Sequence, residues 1–178
     1  MLDRLKYRFG QLKFGLTSAM NDEDRVFVRR HLDIQEQALF NSLPDYEQKH
    51  AVVVAQKMLN SLKGRHDLDG HKLAKIGLLH DIGKAAVRLS IFDKAAMVAL
   101  KSLSPWLYDL LSQRGMKDGT PRFFRKFFVY KHHGEIGAEM LRKIGVEDEV
   151  LTCVEAHDAM KFGSDKYLRS LQDADSTL

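Results

Sequence analysis

The strongest chemical signal in this sequence is an apolar stretch that ends in an adjacent histidine and aspartate, Leu78-Leu79-His80-Asp81-Ile82-Gly83-Lys84. His80 and Asp81 offer a nitrogen and an oxygen ligand side by side, where Gly83 is expected to break the helix and turn the backbone away. Adjacent helical residues point about 100° apart, so this pair is able to serve two metal ions from one position. Considered alone, the pair also fits a histidine at a helix C-terminus that is held by its neighbour.

Four of the eight histidines in the chain stand in contexts that fit one internal metal site together with two aspartates. Burying six ionisable groups without partners is costly, and cations supply the compensation. A mixed set of imidazole and carboxylate ligands without thiolate suits iron, manganese, nickel or zinc. We therefore favour a metal site over histidines that are satisfied within a core.

The order of these residues resembles the HD-domain superfamily of metal-dependent phosphohydrolases, in its branch with a His-Asp-Ile-Gly signature. Five motifs follow the family's order over roughly residues 45–178. They are His50 with Val54-Ala55, His80-Asp81 with Ile82-Gly83, His133 with Gly137-Ala138, His157 on the helix after that, and the closing pair Ala174-Asp175. The spacing of the third to fifth motifs looks most like the branch that cleaves dinucleoside tetraphosphates symmetrically.

The resemblance implies a ligand set for two divalent metal ions. It places His50, His80, Asp81 and Asp175 at one ion and His133 and His157 at a second, with Asp81 bridging the two. Iron or manganese is the favoured metal, with nickel and zinc as alternatives. Asp81 is also a candidate catalytic residue together with Lys84, whose charge would offset negative charge on phosphoryl oxygens. Lys84 alternatively serves as a cation at a helix C-terminus.

Such a centre points to phosphate-ester or anhydride hydrolysis. Two cations a few ångströms apart lower the pKa of a shared water and clamp a phosphoryl group for in-line attack. We therefore expect an enzyme, a metal-dependent phosphohydrolase that cleaves a phosphoester or phosphoanhydride of a nucleotide or dinucleotide with a metal-bound hydroxide. A single-metal nucleotidase is a close variant. The alternative is a catalytically silent HD-type module that binds a nucleotide or a protein partner, with residues 1–16 placing it at a membrane surface.

Helical spacing favours Asp175 over Asp173 as the last carboxylate ligand. Asp175 shares a helix face with Leu168 and Leu171, whereas Asp173 lies on the polar side with Lys166. Asp173 stays the alternative ligand.

Several other residues each allow two interpretations. His132 is either exposed or a substrate contact, and Asp158 is either an extra oxygen ligand or a surface carboxylate. The segment 122–131 interleaves aromatic and basic residues, which suits a core helix with outward cations or a surface that stacks bases and holds phosphates. We favour the core helix. The histidines interpreted as ordinary surface residues are His31, His66 and His71.

The elements that must position these residues are helices. Apolar residues recur at three- and four-residue spacing, so the expected fold class is all-α, a single-domain helical bundle of about eight or nine helices. Cap-type residues at 21–24 begin a helix that runs towards Leu43, and a later helix over about 71–80 carries the His-Asp pair. We expect the N-terminal helices of residues 1–44 to pack on or flank the core, and the HD-type phosphohydrolase domain to span 45–178.

Composition restricts the cellular location and the binding partners that we expect. The 28 Lys and Arg residues against 24 Asp and Glu give a net charge of +4, so no specific nucleic-acid binding is expected. The single cysteine, Cys153, excludes an internal disulfide and favours the cytoplasm as location. No stretch approaches the roughly 20 apolar residues of a membrane span. Residues 1–16 have the pattern of a helix docked on the domain or, more weakly, of an interfacial helix.

Overall fold

The structure of the protein is a computed structural model that describes residues 19–62, 67–117, 119–159 and 165–177. All regular secondary structure in these ranges is helical, so the predicted all-α fold is confirmed. The ten α-helices within these ranges are α1 (Asp22–His31), α2 (Ile34–Phe40), α3 (Asp45–Asn60), α4 (Gly70–Leu79), α5 (Ile91–Leu103), α6 (Pro105–Gly115), α7 (Arg122–Lys131), α8 (His133–Arg142), α9 (Asp148–Ala156) and α10 (Lys166–Ser176). A 3-10 helix over Ile82–Ala86 lies between α4 and α5.

The segment 22–43, predicted as one helix, contains two. Leu32 has an extended backbone with φ −117° and ψ 141°, which ends α1. The Asp33 carboxylate then accepts hydrogen bonds from the backbone amides of Gln35 and Glu36, and the Glu36 carboxylate accepts one from the Asp33 amide. This capping box satisfies amides that a helix start leaves free, so it begins a new helix. Because Leu32 is itself buried, the apolar spacing continues across the break and hides it.

Replacing Asp33 with alanine is expected to lower the free energy of unfolding by about 1 kcal/mol, because two backbone amides of α2 lose their acceptor. Urea unfolding followed by circular dichroism measures the loss. Asp33→Asn keeps an acceptor oxygen at the same position and should retain most of the stability. An equal loss in both variants would contradict the capping explanation.

The main core surrounds α3 and α4, which lie side by side with α1, α2, α9 and α10 packed against them. Val28 of α1 and Phe40 of α2 are buried in this core, so the described part of the N-terminal region packs on it. Val52 and Val54, from the most strand-like run in the sequence, are fully buried within α3. The centre of the bundle is therefore built from α3, which carries His50, and α4, which leads to the His-Asp pair.

A smaller apolar cluster joins α5, α6 and α7. Its buried members are Leu89, Met97, Tyr108 and Phe127. The aromatic and basic segment 122–131 forms α7, in which Phe127 faces this cluster and Lys126 pairs with Asp93 at 2.7 Å.

Within the described residues, no helix combines the length and apolar character needed to span a bilayer. The predictions for residues 1–16 and for His66 lie outside the described residues.

Candidate metal centre

Six side chains from five parts of the fold converge inside the bundle. They are His50 in α3, His80 and Asp81 between α4 and the 3-10 helix, His133 at the start of α8, His157 directly after α9, and Asp175 near the end of α10. These are the six residues from which the sequence predicts a metal site. They form two groups, one of His50, His80 and Asp175 and one of Asp81, His133 and His157. In each group, one ligand atom per residue lies within 4.8 Å of the others.

The first group lies at the more accessible side of the cluster. Asp175 Oδ1 is 2.9 Å from His50 Nε2 and 3.9 Å from His80 Nε2. His80 is fully buried, whereas 18% of the His50 side chain and 35% of the Asp175 side chain are exposed. Solvent therefore reaches the cluster past His50 and Asp175.

Asp81 connects the two groups, because each of its oxygens faces a different pair of histidines. Oδ2 lies 3.3 Å from His80 Nε2 and 3.7 Å from His50 Nε2. Oδ1 lies 3.1 Å from His133 Nε2 and 3.6 Å from His157 Nε2. This is the geometry of a carboxylate that two cations are able to share.

The rings of His80, His133 and His157 are held by the backbone in one common way. In each, Nδ1 contacts the carbonyl oxygen three residues earlier, at 2.9, 2.9 and 2.6 Å respectively. A carbonyl oxygen only accepts hydrogen bonds, so Nδ1 carries the proton and donates it. In the neutral ring, Nε2 then presents a lone pair to the cluster. Such backbone partners fix the tautomer and orientation of histidines that ligate metals.

The donor atoms of this cluster fit a cation. His133 Nε2 and His157 Nε2 lie 3.0 Å apart, and both face Asp81 Oδ1. His80 Nε2 is buried and forms no hydrogen bond. Acceptors gathered in this way are unfavourable in a buried site unless positive charge neutralises them. The cluster could therefore hold divalent metal.

The pKa values indicate the same preference for positive charge. Burial is the largest single influence and disfavours charged His80, but Asp81 and Asp175 together outweigh it and raise the pKa of His80 to about 9. Burial also opposes ionised Asp81, yet His80 and Lys84 hold its pKa well below the ordinary value. At His133 burial dominates and lowers the pKa. The carboxylates thus favour a positive charge beside His80, which either a proton or a divalent cation is able to supply.

Gly83 brings the 3-10 helix against α8, which differs from the role expected for it. The helix before it already ends at Leu79, and Gly83 does not have a positive φ. A Cβ atom on Gly83 would lie 1.9 Å from the backbone oxygen of His133 and 2.7 Å from the backbone nitrogen of Gly137. The absence of a side chain therefore lets the segment that carries Asp81 approach His133.

Lys84 is a buried cation of this centre. It lies within the 3-10 helix rather than at the C-terminus of an α-helix, and it is 8% exposed. Its Nζ contacts Asp81 Oδ2. Burial opposes its charge, but Asp81 and Glu47 outweigh burial and raise the pKa of Lys84 well above the ordinary value. Lys84 is thus an ammonium ion between two carboxylates, and its role toward a phosphoryl group stays a prediction.

Sequence reasoning missed the second of these carboxylates. Glu47 is 1% exposed and lies three residues before His50, on the same face of α3. Its Oε1 is 2.7 Å from Lys94 Nζ, and its Oε2 is 3.6 Å from Lys84 Nζ. Burial opposes ionisation, but the two lysines lower the pKa of Glu47. The available signal was an acidic residue one turn before a candidate ligand, in line with buried Ala51.

The remaining candidates lie outside the two groups. Asp173 and Asp158 are exposed. His132 pairs through Nδ1 with a glutamate one turn later on α8, at 2.6 Å. His31 and His71 stack on each other with ring centroids 5.6 Å apart. Among the described residues, neither metal-binding group includes any of these side chains.

Comparison with known proteins identifies the family of this arrangement. No curated protein and no solved structure matches the chain significantly. The family model of the HD domain matches residues 48–178 of the 178-residue chain, a range that contains all six residues of the cluster and Lys84. The chain therefore belongs to the HD domain family.

Proposed function

We propose that this protein is a metal-dependent phosphohydrolase that cleaves a phosphoester or phosphoanhydride bond of a nucleotide or dinucleotide. HD domains are generally enzymes of this class, and they bind divalent metals. The observation that carries the proposal is the buried Asp81 carboxylate, whose two oxygens face two separate pairs of histidines. Iron or manganese is the proposed metal, because imidazole and carboxylate are the donors offered.

Divalent cations held by the six clustered residues would supply water of lowered pKa and positive charge against phosphoryl oxygens. The protein itself orients the side chains of the site. Three backbone carbonyls orient the rings of His80, His133 and His157, so their Nε2 atoms are held facing the cluster. The buried position of these rings keeps bulk water away and strengthens electrostatic interactions. We assign to Lys84 the offsetting of negative charge on phosphoryl oxygens during the reaction.

The substrate is proposed to enter past His50 and Asp175, since these are the exposed members of the cluster. Motif spacing favours a dinucleoside polyphosphate as substrate. Hydrolysis adds one water across a P–O–P linkage, so symmetrical cleavage of a dinucleoside tetraphosphate yields two nucleoside diphosphates and no free phosphate. A chromatographic assay of nucleotides detects this reaction, whereas a phosphate-release assay does not.

Elemental analysis of protein purified without chelators, followed by a substrate screen with added Mn²⁺ and Fe²⁺, tests the proposal. The screen compares nucleoside monophosphates, nucleoside triphosphates and dinucleoside tetraphosphates. About two metal equivalents together with turnover of one class would support the hydrolase. Protein that stays metal-free and inactive after reconstitution would exclude it and favour the HD-type binding module.

Asp175→Asn is expected to weaken Mn²⁺ binding by about tenfold or more. Asp175 is the one carboxylate in the group of His50, His80 and Asp175, so this group would keep only the nearby Asp81 as a negatively charged ligand. Isothermal titration with Mn²⁺ measures the change. Asp173→Asn is the matched control, since Asp173 is exposed on the same helix two residues earlier and should bind like the wild type. If the two variants bind Mn²⁺ equally well, Asp175 is not a ligand.

A further inference from the structure

A buried chain of charged groups leads from the metal-binding cluster to α5. Lys84 Nζ contacts Asp81 Oδ2 and lies 3.6 Å from Glu47 Oε2. The other oxygen of Glu47, Oε1, is 2.7 Å from Lys94 Nζ. Glu47 and Lys84 are 1% and 8% exposed, so solvent does little to screen their charges. The electrostatic energy of both carboxylates therefore depends on the position of the Lys84 ammonium ion.

Lys84 occupies an oxygen that a divalent cation would also need. Asp81 Oδ2 is the oxygen that faces His50 Nε2 and His80 Nε2, at 3.7 and 3.3 Å. An ammonium ion and a divalent cation on one carboxylate oxygen repel each other strongly at this depth. Binding of a cation by this group is therefore opposed as long as Lys84 stays on Oδ2.

Glu47 offers Lys84 a second position. Glu47 Oε2 is buried and forms no hydrogen bond, although Lys84 Nζ is only 3.6 Å away. Lys94 already satisfies the opposite oxygen, so it does not compete for Oε2. A buried carboxylate oxygen without a hydrogen bond is unfavourable, and an approaching ammonium ion would satisfy it. A small movement of the flexible lysine side chain is sufficient for this exchange.

We propose that Glu47 is a positioning residue that accepts the Lys84 ammonium ion and thereby frees Asp81 Oδ2 for a divalent cation. The proposal rests on the proposed function, in that the cluster binds divalent metal. Glu47 acts through Lys84 and touches neither metal nor substrate. Lys94 holds the Glu47 carboxylate in the position from which it receives Lys84.

The first test is a titration of chelator-treated protein with Mn²⁺. Glu47→Gln keeps the shape of the side chain but removes its charge, so Lys84 is left with Asp81 as its carboxylate. We expect Mn²⁺ affinity to fall by about tenfold to a hundredfold, the usual effect of losing a group that supports a ligand. Glu36→Gln is the matched control, because Glu36 is an equally buried glutamate paired with Lys75 at 2.8 Å. Its Mn²⁺ affinity should equal that of the wild type.

The second test is rescue by the double variant Glu47→Gln with Lys84→Met. Methionine removes the competing ammonium ion, so Mn²⁺ affinity should return to within about threefold of the wild type. Unchanged affinity in Glu47→Gln would overturn the inference. Weakened affinity that the double variant does not restore would overturn it too, because the effect of Glu47 would then not act through Lys84. A wild-type protein that binds no Mn²⁺, Fe²⁺ or Zn²⁺ would instead overturn the proposed function and this inference with it.

Discussion

Replacing Asp81 with asparagine is expected to reduce nucleotide hydrolysis by about a thousandfold or more and to remove bound metal. Both oxygens of Asp81 face histidine nitrogens, within 3.7 Å at the furthest. An amide keeps one oxygen and turns a hydrogen-bond donor toward the other pair of histidines, which repels a cation there. Loss of several kcal/mol of transition-state stabilisation corresponds to a rate effect of about this size. Elemental analysis and the chromatographic assay measure the two losses in one preparation.

Asp109→Asn is the control for this variant, because Asp109 is an exposed aspartate that pairs with Lys131 at 2.9 Å outside the cluster. It should retain both metal and activity. Circular dichroism of each variant distinguishes a lost ligand from a lost fold, since Asp81 is buried. An Asp81→Asn protein that is folded, fully loaded with metal and active would refute the central role of this carboxylate.

The residues of the site were accessible from the sequence because ligand chemistry restricts side-chain type, and because five motifs resemble those of the HD domain family in order and spacing. Adjacent His80 and Asp81 identified the centre, and helix faces separated Asp175 from Asp173, which the structure leaves exposed. Glu47 was not identified, because its partner Lys94 lies 47 residues away on α5. Only the packing of α3, α5 and the 3-10 helix reveals that contact. Spacing along α3 places Glu47 on the same face as His50, but it carries no information about the lysines that Glu47 contacts.

The same distinction applies to the fold: features set by local sequence were predicted, and features set by long-range contacts were not. Periodicity predicts helices, because each helix must bury one face, and Pro105 begins α6 as expected for proline in a first turn. The break at Leu32 was missed, because Leu32 contributes to the core in an extended conformation as it would in a helix. The 3-10 helix after Asp81 and its contact with α8 depend on packing between distant parts of the chain. The sequence did not predict either feature.

Gly83→Ala is expected to lower the free energy of unfolding by about 3 kcal/mol or more, although alanine is the better helix former. The added Cβ would lie 1.9 Å from the backbone oxygen of His133, and a backbone atom cannot move aside alone. The 3-10 helix must therefore separate from α8. For a chain of this length we expect the melting temperature to fall by about 10 °C. Thermal unfolding followed by circular dichroism measures this change.

The same displacement should reach the metal-binding cluster, because Asp81 Oδ1 and His133 Nε2 are 3.1 Å apart across this contact. Folded Gly83→Ala protein is accordingly expected to bind less Mn²⁺ than the wild type. Gly70→Ala is the control, since its Cβ would meet only side-chain atoms of Leu62 and Leu59, at 3.3 and 3.5 Å. That variant should match the wild type in both measurements. If Gly83→Ala matches it as well, close backbone approach is not the reason for glycine after the His-Asp pair.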